Sequence, residues 1–374
     1  MVIFVSVAET ASGTRCKRLL ALDGGGVRGV LSIEILAAIE RLVGAPLSSY
    51  FDYVAGTSTG AILAACVSLG MSVDEIRTFF IEIGPSMFHQ ANALRRFRYK
   101  YDDVQLAAAL RNVFSGSNGI PLTLGSPELK TLLLLVLRNA TTDSPWPLSN
   151  NPRALFNDRR LAECNLDFPL WQLIRASTAA PTYFPPERIA VGSQSFVFVD
   201  GGVTTYNNPA FLLFLHATLR SYRLCWPTGP EKLLLVSVGT GATAQANDRL
   251  KPGEMNLLYN MTSVPAALLH AALVEQDLLC RVFGRCLFGD AIDLELGDLR
   301  SPVSGPAAGF CPQLFTYVRY SADLSAAGLE RLGLSSIRPE AVQRLDSIDH
   351  LDELRLIGRS AARNVSVDHF VGFE

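Results

Sequence analysis

The chain is poor in the features that would classify it at a glance. Its seven cysteines (Cys16, Cys66, Cys164, Cys225, Cys280, Cys286 and Cys311) are scattered, odd in number and never spaced as Cys-x-x-Cys, which argues against both a disulfide framework and a zinc site. A reducing compartment is expected. Net charge is nearly absent: 33 Lys and Arg face 35 Asp and Glu, so no whole-molecule field draws the chain toward a nucleic-acid polymer or an anionic surface. Long apolar runs are missing too. The strongest, TLLLLVL from Thr131 to Leu137, is far short of the roughly 20 residues needed to span a bilayer. The N-terminal MVIFVSVAETASG has no Lys or Arg ahead of its short apolar stretch and does not read as a secretory signal. A soluble cytoplasmic protein is predicted, whose contact with membranes is peripheral.

What is present is the material of a packed body. Hydrophobic residues make up 49% and charged residues 18% of 374, far from the composition of a disordered chain. Short apolar segments end in Gly-rich turns and are followed by segments of helical period. RLLALD (Arg18 to Asp23) reads as a strand stopped by Gly24–Gly26, and Leu31 to Val43 as a helix with Ile35, Ile39 and Leu42 on one stripe. FDYVA (Phe51 to Ala55) reads as a second strand, with a nearly all-apolar helix from Ala61 to Leu69 beyond it. Leu132 to Leu137, Phe196 to Val199 and Leu233 to Val238 are continuous apolar runs suited to a covered sheet. The stretch from Thr141 to Pro152 (TTDSPWPLSNNP) reads as a turn-rich excursion. These signals predict one α/β domain over residues 1–374: a mostly parallel sheet covered by helices on both faces, with its core in 18–241 and a helical C-terminal portion in 242–374.

Three short motifs could carry chemistry. Gly56-Thr57-Ser58-Thr59-Gly60 has the G-x-S-x-G spacing between an inferred strand and an inferred helix, the setting of a nucleophile elbow, although Gly/Ser/Thr turns are common. Asp23-Gly24-Gly25-Gly26-Val27-Arg28-Gly29 offers backbone N–H groups with no side chains to block them, which suits an oxyanion hole. It also satisfies G-x-G-x-x-G, but the next strand ends in the serine elbow and not in the acidic residue that a dinucleotide site wants. Asp200-Gly201-Gly202 closes the strand FVFV and is either a strand-end acid or an ordinary Asp-Gly turn. His216, His270, His350 and His369 follow Asp200, so a Ser/Asp/His order is available; none stands in a Gly-rich strand-end loop, which favours a two-residue mechanism.

In this order, DGGGVRG, GTSTG and DGG resemble the patatin-like phospholipase family. Ala176 to Pro186 (ASTAAPTYFPP), ahead of the aspartate, and SVGTG ending at Gly241 extend the likeness from about Arg18 to about Gly241. The resemblance implies a lipid acyl hydrolase, a phospholipase A or lysophospholipase, with Ser58 as nucleophile and Asp200 as general base. It further implies that the amides of Gly24, Gly25 and Gly26 hold the oxyanion, that Arg28 fixes their loop, and that no metal or organic cofactor takes part. Short bacterial proteins of this kind include antiviral effectors switched on by cyclic dinucleotides, so such an activator is a further expectation, as is a homo-oligomer.

Between Met87 and Asp103, Arg95, Arg96, Arg98 and Lys100 alternate with Phe97, Tyr99 and Tyr101. The pattern fits an anionic headgroup contact, a nucleotide-phosphate site or a salt-bridged surface segment. Two rival functions stand beside the lipase: an esterase or thioesterase acting on soluble acyl substrates through the same pair, and a non-catalytic nucleotide switch resting on GGGVRG.

Overall fold

The computed structural model describes residues 15–87, 99–241, 253, 255–293, 295–300 and 313–374. In chain order the first half holds β1 (Lys17–Leu22), α1 (Gly29–Val43), α2 (Leu47–Tyr50), β2 (Tyr53–Thr57), α3 (Thr59–Leu69), α4 (Val73–Met87), α5 (Val104–Val113), β3 (Leu132–Asn139) and β4 (Ser144–Ser149). The second half holds α6 (Leu170–Ser177), β5 (Glu187–Val191), β6 (Gln194–Asp200), α7 (Ala210–Thr218), β7 (Leu233–Val238) and α8 (Leu257–Phe283). It ends with β8 (Arg285–Phe288), β9 (Thr316–Tyr320), α9 (Ala326–Arg331), α10 (Pro339–Val342) and α11 (Leu351–Ala361).

The strands form one sheet of order β5-β6-β3-β2-β1-β7-β9-β8, with β4 pairing β3 off that path. Neighbouring residues of each strand point to opposite faces, and both faces are apolar. Leu20, Leu22, Val54, Leu135 and Val236 pack under α1, α3, α4, α5, α6 and α11. Leu19, Ala21, Ala55, Val136 and Leu235 pack against α7 and the Cys280 end of α8. The chain is therefore a mixed α/β protein with a mostly parallel central sheet covered on both faces.

The pairing around β3 decides where chemistry can occur. β2 runs parallel to β3 along Leu132–Val136, and β6 runs antiparallel to it along Leu137–Asn139. β4 overlaps both stretches, from Leu134 to Asn139, and so occupies the other flank. β2 and β6 thus lie end to end on the same flank of β3, one arriving from each direction. Thr57 pairs with Val136 and Asp200 with the adjacent Leu137, so the two strands stop one residue apart.

Two expectations need correction. The Thr141 to Pro152 stretch is no mere excursion, because it contains the antiparallel strand β4; Pro145 and Pro147 disguise it, and both are tolerated at a sheet edge where their missing N–H groups leave no ladder bond unmade. The portion after residue 241 is not wholly helical: β8 and β9 extend the sheet in parallel beyond β7. From β9, Arg319 reaches Asp23 with two charge-assisted bonds, of 2.9 and 2.5 Å, in a site where both side chains are buried. Arg319 also donates to Ser237 Oγ at 2.6 Å.

Breaking such a pair on one side strands the other charge, at a cost of about 3–5 kcal/mol. Arg319→Met should lower the urea midpoint accordingly, and adding Asp23→Asn should restore part of the loss; equal stability of Arg319→Met and the parent would show that the pair holds nothing.

Candidate functional site

Ser58 sits where β2 turns into α3, with φ 54 and ψ −124, a positive-φ backbone that costs a non-glycine residue about 1–3 kcal/mol. Neighbours hold it there. Its N–H donates to Ser177 Oγ at 3.0 Å, and that hydroxyl donates to the Val136 carbonyl at 2.7 Å, tying the elbow to β3. The flanking glycines are required by contact: a Cβ on Gly56 would lie 2.0 Å from the Gly60 carbonyl oxygen, and one on Gly60 would lie 2.2 Å from that of Leu22. The helix therefore starts pressed against the sheet, with its N-terminal dipole directed at Ser58.

Asp200 reaches the same point from the opposite strand. Ser58 Oγ donates to Asp200 Oδ2 at 2.6 Å, while Oδ1 accepts the Gly202 N–H at 2.6 Å. The Asp200 N–H donates to the Ala179 carbonyl at 3.0 Å, which docks the small-residue stretch Ala176 to Pro186 beside the acid. Burial pushes the Asp200 carboxyl up to about 6, with Ser58, Gly202 and the positive charge of Arg175 pulling back against it. Asp200 was expected to end a central strand at the carboxyl edge of the sheet. It does lie at that edge, but on an antiparallel strand, because β3 overshoots β2 and β6 descends along the overshoot.

The glycine loop is held by its carbonyls. Thr240 Oγ1 donates to the Gly24 carbonyl at 2.9 Å, and the Arg28 N–H and Nε donate to the Gly25 carbonyl at 3.2 and 3.3 Å. In a trans peptide the next N–H points the opposite way, so these bonds aim the amides of Gly25 and Gly26. Among the described residues neither amide has a protein acceptor, and both residues line the cleft beside Ser58. Gly24 differs from expectation, because its N–H is already donated to the Asn207 carbonyl at 3.1 Å. That leaves Gly25 and Gly26 as the available donors. Burial lowers Arg28 to about 10, which keeps it protonated at neutral pH.

A cleft of about 290 Å³ opens over Ser58, walled by Tyr183, Phe184, Val203, Leu269, Leu273 and Leu345 among others. Of the four described histidines, His270 alone lines it, and none bonds to Ser58 or Asp200. His216 stacks on Tyr222 with ring centroids 3.6 Å apart, His350 pairs with Glu353 and His369 with Tyr320. Among the described residues no group of three or more His, Cys, Asp or Glu side chains could hold a metal, and no helix is long and apolar enough to cross a membrane. Arg95, Arg96, Phe97 and Arg98 lie outside the described residues. Three supporting residues escaped the sequence reading. Ser177 and Thr240 lie inside the ASTAAPTYFPP and SVGTG segments, whereas Arg319 has no local signature at all.

A hydroxyl hydrogen-bonded to a buried acid, next to aimed amide donors in an apolar cleft, is the kind of arrangement that acyl hydrolysis needs. The family model for patatin-like phospholipases matches residues 20–214, and the chain belongs to that family of lipid acyl hydrolases. Patatin group A-3 of Solanum tuberosum is 29% identical over 275 residues, covering 66% of this chain and 67% of its own. Patatin-T5 of the same plant is 26% identical over 341 residues, covering 79% and 84%. Among solved structures, VipD from Legionella pneumophila aligns with a TM-score of 0.37 and 13% identity, covering 91% of this chain and 67% of that one.

Thr240→Val should lower kcat for ester hydrolysis roughly tenfold by releasing the Gly24–Gly25 peptide, with KM little changed, while Thr240→Ser keeps the donor and the rate. Equal kcat in the valine variant and the parent would remove Thr240 from the machinery.

Proposed function

We propose that the chain cleaves fatty acyl esters of phospholipids or lysophospholipids through a Ser58/Asp200 dyad. The observation that carries this reading is the 2.6 Å bond between the two side chains beside the amides of Gly25 and Gly26, which have no acceptor among the described residues. Asp200 takes the hydroxyl proton as Ser58 Oγ attacks the ester carbonyl. The negative charge that forms on the carbonyl oxygen meets the two amides, each worth about 3 kcal/mol in comparable sites. Collapse expels the alcohol, which recovers the proton from Asp200, and leaves an acyl group on Ser58. Water then repeats the sequence: Asp200 removes its proton as the water attacks the acyl carbon, the acyl bond to Ser58 breaks, Ser58 Oγ takes the proton back from Asp200, and a fatty acid departs.

The carboxyl raised to about 6 is suited to this exchange, being ionised at neutral pH yet more basic than an exposed aspartate. The apolar walls of the cleft favour a lipid acyl chain over a small soluble ester, and comparing micellar with monomeric substrate separates those two readings. A cyclic-dinucleotide trigger with an antiviral role is a separate proposal, carried by the family resemblance. Titration with a panel of cyclic dinucleotides tests it, and absence of both binding and a rate change would end it.

Ser58→Ala and Asp200→Asn should each abolish release of fatty acid from defined phospholipids while the fold persists. Full activity in either variant would overturn the dyad. In the parent, kcat/KM should rise as pH passes about 6 and level off above, because the base must be ionised. The stability consequence has the opposite sense. A carboxyl whose folded pKa is raised stabilises the fold in its protonated form, fully below pH 4 and no longer once pH has risen through about 6. At pH 8, therefore, Asp200→Asn should be more stable than the parent, by up to about 3 kcal/mol in chemical denaturation.

A further inference from the structure

One helix around the cleft is unlike the others in composition. From Leu257 to Val274, 18 residues of α8, the chain has no Asp, Glu, Lys or Arg. Its inner side, with Ala266, Leu269, His270 and Leu273, lines the cleft that holds Ser58. Its outer side stands open among the described residues: Val264 is 48% and Leu268 66% exposed, one turn apart, and Leu268 edges a second, open cavity beside Pro145 and Val203. A helix that only roofs a cleft presents charged residues to water, so an uncharged, apolar outer stripe calls for something apolar beyond it.

The cleft rim also carries a surplus of positive charge. Tyr183, Gln343 and Leu345 line the cleft, and Lys100 and Arg344 gather around them. Lys100 lies over the Tyr183 ring, 5.4 Å from its centroid. Both cations share the single buried carboxylate of Asp346, yet keep 46% and 66% of their side-chain surface in solvent. An apolar stripe on a helix that lines the cleft, and a cationic pair next to Tyr183, Gln343 and Leu345 of the same cleft, are together complementary to one kind of surface: an apolar layer faced with phosphates.

We propose that this rim, formed by Val264 and Leu268 of α8 with Lys100 and Arg344, is the face by which the protein docks on an anionic phospholipid bilayer. The proposal rests on the lipid acyl hydrolase reading and adds the route by which substrate enters: a lipid rises from the bilayer along the inner side of α8 to Ser58, without crossing water. Val264 and Leu268 sit at the boundary between headgroups and acyl chains, and the two cations lie on the phosphates.

Flotation of the full chain with phosphatidylcholine vesicles, and with vesicles that also contain phosphatidylglycerol, tests the proposal. A monomeric short-chain ester serves as an independent readout of the dyad. The parent should float with both vesicle types, more strongly with the anionic one, and that advantage should fade with salt. Val264→Asp combined with Leu268→Asp should cut vesicle binding and vesicle-lipid hydrolysis roughly tenfold or more, as expected for losing two buried apolar side chains, with monomeric ester hydrolysis retained. Arg344→Glu should remove only the preference for anionic vesicles. Leu268→Trp, the milder variant should the double aspartate not fold, should show a blue-shifted emission on vesicles. Failure of the parent to bind vesicles, unshifted Leu268→Trp emission, or a dimer that is lost with the aspartates would each overturn the docking face while monomeric ester turnover continued. Loss of that turnover in the parent would instead overturn the hydrolase reading.

Discussion

The site depends on two strands that meet head to head. β2 and β6 share one flank of β3, and they stop at adjacent rungs, Val136 and Leu137. Everything that follows is local consequence. The elbow after β2 throws Ser58 forward, the last residue of β6 presents the Asp200 carboxyl, and the gap between them closes to a hydrogen bond. No flexible loop has to find its partner, because the positions are set by ladder bonds in a sheet buried on both faces. This is how a strained serine and a desolvated acid can be held together in a resting protein.

A second constraint concerns the amides. A glycine loop is free to turn its peptides either way, so having three glycines does not by itself create an anion site. Here the orientation is fixed by bonds to carbonyl oxygens, from Thr240 beyond β7 and from Arg28 at the end of the motif itself. The same arrangement turns the amides of Gly25 and Gly26 toward the cleft, whereas the Gly24 N–H is bonded to the Asn207 carbonyl.

The legible part of this protein was the part written in short, contiguous patterns. The strand, elbow and helix around Ser58 could be read because apolar runs, Gly spacing and helical period fall next to each other, and the core strands announced themselves as unbroken Val and Leu runs. What could not be read depends on residues distant in the chain. The direction of β6 follows from pairing with β3, some sixty residues earlier, and no local feature of FVFV encodes it. β4 is disguised by its prolines, which are tolerated because among the described residues no strand pairs on its outer side. β9 (TYVRY) is short and polar at both ends, and the importance of Arg319 appears only once Asp23 is found buried opposite it.

That buried pair also bears on what counts as a unit of this protein. The family match stops at residue 214 and includes the serine, the acid and the glycine loop, yet the guanidinium that neutralises Asp23 comes from residue 319. A fragment cut to the matched region would contain Ser58, Asp200 and the glycine loop, yet leave the buried Asp23 carboxylate without its guanidinium partner. Inheritance of the chemistry and inheritance of the foldable body therefore have different boundaries, and the longer one governs.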